Sequence, residues 1–201
     1  MDKPSSLERP RLADSFRPLL VVGALVAVMW AEEITDFLPI GGDLDRFGIR
    51  PRHLAGLAGI VWAPFLHGGF LHLIANTIPF LVLGCLIALG GAARFMAVTV
   101  IVGLVSGLAT WLVAPANSIH IGASGLVFGY VTYLIGRGWF ERRIGYLIGG
   151  LIVVMVYGSV LWGVVPRPGI SWQMHLFGAA GGLAAARLLH GRHPEQPSLP
   201  A

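Results

Sequence analysis

Ser124 sits in the sequence Ile121-Gly122-Ala123-Ser124-Gly125, at the entry to an apolar stretch. His175 stands at the entry to another such stretch, and His72 and Asn76 at the start of a third. A hydroxyl that can pass its proton to an imidazole is a nucleophile for acyl transfer. It attacks a carbonyl carbon while the ring takes the proton and later returns it to the leaving group. The oxyanion formed on the way needs N–H donors. The backbone of Ser124, the His72 ring and the Asn76 amide are candidates, the last two sharing a helix face at i,i+4 spacing. Gly122 and Gly125 permit the close backbone approach that a tight turn at a nucleophile requires. No carboxylate stands beside His175: Glu32, Glu33, Asp36, Asp43 and Asp45 all lie on the first apolar stretch or the loop after it. The residues therefore read as a Ser–His dyad, with Phe128, one turn below Ser124, placed to pack on the imidazole.

The elements that carry these residues are set by composition. Of 201 residues, 55% are hydrophobic and only 12% charged, about half the charged fraction of an ordinary soluble domain. Mean hydropathy is +0.75. Such a chain cannot hide its apolar surface from water in one small core, so the bilayer is its solvent. Six stretches approach the roughly 20 apolar residues that a spanning helix needs. They run over 18–38, 70–90, 94–114, 119–138, 144–165 and 171–190, which predicts an all-α polytopic membrane protein. A polar arm, residues 1–17, precedes the helical domain of 18–190, and a tail, 191–201, follows it. The first stretch, interrupted by Glu32 and Glu33, could also be read as a signal-peptide core, but no convincing cleavage site follows. Residues 39–69 are too apolar for a solvated loop, and Leu54, Leu57, Ile60, Val61, Trp62 and Phe65 recur near helical spacing. Part of this first loop is expected to lie as an interfacial helix on the outer leaflet.

Lysines and arginines orient the spans. Ten of the fourteen fall in the arm, the second and fourth connections and the tail; Arg46, Arg50, Arg52 and Arg167 fall on the other side. Both termini are expected in the cytoplasm. The net charge of +4 is then a topology signal and no argument for nucleic acid. With this orientation Ser124, His175, His72 and Asn76 enter from the outer side. Ser124 is expected about five residues into its helix, roughly 7 Å deep, with His175 level with it.

Each residue also has a plainer role. A lone serine in a membrane helix usually bonds its own helix carbonyls, a histidine near the interface anchors among headgroups, and an asparagine ties helices together. Convergence of all four at one depth favours chemistry. His175, Gly178 and Gly182 share a face, and Gly125 and Gly129 repeat the small-residue spacing on the fourth span, so the two helices can approach closely. A metalloprotease is disfavoured by the absence of His-Glu-x-x-His, and His67, His72 and His175 lack the spacing of a zinc site. A small transporter would show an internal repeat or paired broken helices, and neither is evident. The single cysteine, Cys85, cannot form an internal disulfide.

Three motifs together resemble the rhomboid family of intramembrane serine proteases. His72-Leu-Ile-Ala-Asn76 is similar to that family's His-x-x-x-Asn, and Gly122-Ala123-Ser124-Gly125 to its Gly-x-Ser-Gly. His175-Leu-Phe-Gly178 through Gly182 is similar to its His-x-x-Gly-x-x-x-Gly. The resemblance implies a six-helix rhomboid-like bundle with a water-filled cavity open to the outer face. It implies Ser124 as nucleophile, His175 as base, and His72 and Asn76 as oxyanion donors. Substrates would be transmembrane segments of other membrane proteins, with residues 164–170 part of a gate, and no cofactor or metal is needed. The expected location is a bacterial plasma membrane, as a multi-pass protein. The Trp-Arg pair that many members carry in the first loop is lacking near Ala58 and Gly59. Ala88 stands near the place of a frequent glutamate, and Phe128 where some relatives have tyrosine. A non-catalytic rhomboid-like factor that binds membrane proteins is the alternative, but such proteins lack the serine or the histidine.

Overall fold

The computed structural model describes residues 12–38 and 42–191. The first eleven residues of the arm, residues 39–41 of the first loop and the tail from 192 onward lie outside the described residues. Among those described there are seven α-helices and no strand. The helices are α1 (Leu12–Phe37), α2 (Gly59–Trp62), α3 (Phe70–Ala88), α4 (Ala92–Val113), α5 (Ser124–Glu141), α6 (Ile144–Tyr157) and α7 (Trp172–Leu189). α6 continues as a 3-10 helix over Gly158–Val164.

Polarity is arranged inside out. Leu71, Ile78, Val100, Leu112, Leu151 and Met155 face outward, while Asn76, Ser106, Thr110, Thr132 and His175 are buried. That distribution suits lipid as the surrounding solvent, and the chain is a multi-pass membrane protein. Four helical stretches are long and apolar enough to cross a membrane: Phe16–Phe37, Phe70–Ala88, Ala92–Val113 and Ile144–Val164. Six stretches were expected; α5 and α7 fall short by composition, for a structural reason. They form the centre of the bundle, with α5 buried from Gly125 through Tyr133. A helix shielded by its neighbours has no need of an all-round apolar surface, and α5 carries Thr132, Arg137 and Glu141 while α7 carries Gln173 and His175.

Glycines fix the packing of α5 on α7. A Cβ on Gly178 would overlap the Gly125 carbonyl oxygen, and one on Gly182 the Gly129 carbonyl oxygen. The backbones therefore touch directly. Two hydroxyls tie the contact from its flanks: Ser106 of α4 donates to the Met174 carbonyl at 2.9 Å, and Thr132 to the Ala179 carbonyl at 2.7 Å. Behind α5, Tyr130 packs between Phe80 and Phe95, with ring centroids 5.4 and 5.9 Å away. At the far end of the bundle Glu141 receives Arg137 at 2.8 Å and lies 3.6 Å from Arg94.

The part of the first loop expected as an interfacial helix is helical only in short pieces. The loop is a run of short turns, with 3-10 segments at Leu44–Phe47 and Leu54–Leu57 followed by the one-turn α2. Its outer face is apolar, through Leu54, Val61 and Trp62, as an interfacial segment requires. Its inner face is anchored by polar contacts that prevent a continuous helix. Ile49 exchanges both backbone hydrogen bonds with His120, at 2.9 and 3.0 Å. The Arg52 guanidinium donates to the carbonyls of Leu112 and Ala114 at 3.0 and 2.7 Å, capping the C-terminal end of α4.

Gly182→Ala is expected to lower stability by about 1–3 kcal/mol, the usual cost of overpacking. Gly145, where an added Cβ meets nothing within 4 Å, provides the control: Gly145→Ala leaves stability at wild type or above. Thermal unfolding of the two variants in detergent separates these outcomes.

Candidate active site

The chain enters α5 through a sharply turned loop. Gly122 donates its backbone N–H to the Ala63 carbonyl at 2.8 Å, and Ala123 donates to His67 Nε2 at 3.4 Å. Two successive amides are thus held by the first loop. Gly122 has φ +103°, a conformation that L side chains rarely adopt. A Cβ there would also stand 2.8 Å from the His72 ring. The turn starts α5 at Ser124 itself, not five residues earlier as the apolar run suggested. The expected stretch 119–138 therefore begins with a loop, and Ser124 occupies the first turn of α5. Its backbone N–H is among those without an intrahelical acceptor, at the positive end of the helix dipole.

His175 is the fourth residue of α7. Its Nε2 lies 2.8 Å from Ser124 Oγ, and its Nδ1 lies 2.9 Å from the Gly163 carbonyl oxygen. A carbonyl only accepts, so Nδ1 carries the proton and Nε2 presents its lone pair to the serine hydroxyl. Phe128 stacks on the imidazole at 4.1 Å between centroids and 9° between planes. Gly163 has no room for a side chain: its Cβ would sit 2.6 Å from Phe128 and 3.1 Å from His175 Nδ1. None of Glu32, Glu33, Asp36, Asp43 or Asp45 lines this site. The group that orients the histidine is a backbone carbonyl, which no sequence motif could reveal.

Ser124, His175, His72, Asn76 and Phe128 line one cavity of about 750 Å³, where the N-terminal ends of α3, α5 and α7 meet. His72 Nδ1 accepts the Gly68 backbone N–H at 3.3 Å, which puts its own proton on Nε2, the atom beside Gly122. Asn76 donates one amide proton to the His72 carbonyl at 2.9 Å and keeps the other. Gly125 lies behind the site, where a Cβ would meet Ser106 Oγ at 2.7 Å. Gly169, Ile170 and Ser171, from the connection before α7, complete the wall. Among the described residues no group of three or more His, Cys, Asp or Glu is arranged to hold a metal ion.

His67, weighed in the sequence only as a zinc ligand, has a different place. It is 1% exposed, packs edge-on against His72 at 5.1 Å, and bonds the Phe65 carbonyl through Nδ1 at 3.1 Å. With Nδ1 donating, Nε2 is free to accept from Ala123. Burial, with a smaller push from His72, lowers its pKa to about 4 and keeps this neutral form.

A family model described as a rhomboid domain matches residues 55–192, which include all three motifs. The chain belongs to the rhomboid family. It is 43% identical over 194 residues to an "Uncharacterized protein" of Mycobacterium tuberculosis, covering 90% of this chain and 80% of that one. An "Uncharacterized protein" of Mycobacterium leprae is 46% identical over 173 residues, 82% of this chain and 68% of the relative. A Bacillus subtilis protein named "Putative rhomboid protease YdcA" is 33% identical over 119 residues, 58% of this chain and 59% of that protein.

The neutral His67 gives this rhomboid an acid-sensitive loop. Above the ordinary histidine pKa of 6.5 both folded and unfolded chains carry it neutral, and its contribution is complete. Between 6.5 and about 4 the unfolded chain binds a proton that the folded one does not, so stability falls with pH. Unfolding midpoints between pH 7.5 and 4.5 are expected to drop more steeply for wild type than for His67→Gln, whose amide does not titrate.

Proposed function

We propose that the chain is an intramembrane serine endopeptidase that cuts transmembrane segments of other membrane proteins by a Ser–His dyad. The observation that carries this reading is the 2.8 Å contact between Ser124 Oγ and the unprotonated Nε2 of His175 inside the cavity. Ser124 attacks the scissile carbonyl carbon as its proton passes to Nε2. The imidazolium keeps its Nδ1–H on the Gly163 carbonyl and its face on Phe128. The oxyanion is received by the Ser124 backbone N–H, by His72 Nε2–H and by the free amide proton of Asn76, strengthened by the dipole of α5. His175 then protonates the leaving amine. A water, activated by the same ring, hydrolyses the acyl-enzyme.

The membrane topology belongs to the same proposal. α5 and α7 count as spans alongside α1, α3, α4 and α6, giving six within the helical domain 18–190. The lysine and arginine distribution supports an orientation with both termini in the cytoplasm and the cavity open to the opposite side. No cofactor or metal enters the reaction.

Ser124→Ala and His175→Ala are expected to abolish cleavage of a transmembrane substrate in liposomes, and Ser124→Ala to abolish labelling by a fluorophosphonate. His72→Ala and Asn76→Ala should each slow cleavage by about 100- to 1000-fold, the usual loss for one oxyanion donor. Wild-type cleavage by Ser124→Ala would overturn the dyad, whereas a wild-type chain that binds a transmembrane substrate and does not cut it would leave a substrate-binding rhomboid as the reading.

A further inference from the structure

The cavity holds a second serine–histidine contact that the proposed chemistry does not use. His120 Nδ1 bonds the Ser171 hydroxyl, and His120 Nε2 lies 2.8 Å from the Ser118 hydroxyl. All three line the cavity of Ser124 and His175. Proton directions follow from the far end. Ser118 donates to the Pro115 carbonyl at 2.5 Å, and a hydroxyl has one proton. Ser118 therefore accepts from His120 Nε2–H, which leaves Nδ1 a lone pair for the Ser171 O–H. The chain of bonds runs one way, from Ser171 through His120 and Ser118 to Pro115. Burial lowers the pKa of His120, in keeping with the neutral ring.

The position of this contact is as telling as its chemistry. His120 precedes Ser124 by four residues, Ser171 precedes His175 by four, and both contacts span 51 residues. They are two rungs between the same two segments, with serine and histidine exchanged. Ser171 is the N-cap of α7, and its carbonyl accepts the His175 backbone N–H at 3.2 Å. From behind, both backbone groups of His120 are held by Ile49. The Ser171 side of the link is thus tied to a fixed point.

We propose that His120 and Ser171 are positioning residues whose hydrogen bond ties the loop entering α5 to the first turn of α7 and so sets the Ser124–His175 contact. The inference rests on the reading of those two residues as the catalytic pair. Without the tether, the first turn of α7 loses its registration against α5, and a misplacement of about 1 Å can cost 100-fold in rate. Asparagine and glutamine separate the two ring nitrogens: an Asn amide reaches the Nδ1 position, a Gln amide the Nε2 position.

The test is steady-state cleavage of a transmembrane substrate by the full chain in liposomes, with unfolding midpoints measured beside it. Ser171→Ala and His120→Gln are expected to lower kcat about 10- to 100-fold, with KM changed less than about twofold. His120→Asn, which can still meet Ser171, should recover most of that loss. The midpoint shifts of Ser171→Ala and His120→Gln should not add in the double variant, because both remove one bond. Wild-type kcat in Ser171→Ala, or equal impairment by Asn and Gln, overturns the positioning role. Fluorophosphonate labelling of Ser171 in Ser124→Ala would make it a nucleophile and overturn the role too. A wild-type chain that neither cleaves nor labels sinks the catalytic reading and the positioning role together, whereas additive midpoint shifts in a cleaving protein sink the link alone.

Discussion

The direct backbone contact of α5 with α7 is the constraint on which the site depends. Gly178 faces the Gly125 carbonyl and Gly182 the Gly129 carbonyl so closely that no Cβ fits. A serine side chain and a histidine ring have short reach; they can meet at 2.8 Å only if their helices run closer than ordinary side-chain packing allows. In lipid there is little hydrophobic drive to bring helices together, so small residues and a few hydrogen bonds must supply the association. Ser106 and Thr132 supply such bonds, each to a carbonyl of α7. The same closeness shields the facing sides of both helices from lipid, which is why those sides tolerate polar residues that an exposed span would not.

The sequence made a good part of this legible, because the informative features were local. His72 and Asn76 share a face by simple i,i+4 spacing. The glycine rows of α5 and α7 announce a close contact, and Ser124 and His175 are visible as expensive polar residues in apolar stretches. The observed helices lie near the stretches read from hydropathy: α3 and α4 end within two residues of their expected bounds. What stayed hidden depends on backbone conformation or on tertiary partners. Hydropathy ran the fourth stretch back through Ile119, because Ile119, Ile121 and Ala123 are apolar, yet φ +103° at Gly122 ends the loop at Ser124. Likewise the first loop has near-helical spacing, but Ile49 pairs with His120 backbone to backbone and Arg52 reaches the carbonyls of Leu112 and Ala114, acceptors that a pattern of side chains does not record.

That first loop explains why the chain devotes so many residues to a connection. Ile49, Ala63 and His67 together hold His120, Gly122 and Ala123, which are the residues that aim Ser124. A loop over a membrane cavity has few neighbours to order it, and unpaired amides there would be costly. Borrowing acceptors from the first loop satisfies those amides and fixes the turn at once. His67 suits the task because its neutral ring donates at one nitrogen and accepts at the other, joining Phe65 to Ala123.

The choice of a carbonyl over a carboxylate behind His175 follows from the same surroundings. An ionised carboxylate in a bundle surrounded by lipid costs several kcal/mol unless it is fully paired, and a histidine is a neutral partner for most of the proposed cycle. The Gly163 carbonyl carries no net charge, so it desolvates at far lower cost while still fixing the tautomer. It stabilises the transient imidazolium less strongly than a carboxylate would. Stacking of Phe128 at 4.1 Å offsets part of that deficit, since the negative face of an aromatic ring attracts a cation. In the proposed mechanism, a backbone orienter and an aromatic floor thus take the place of a third charge.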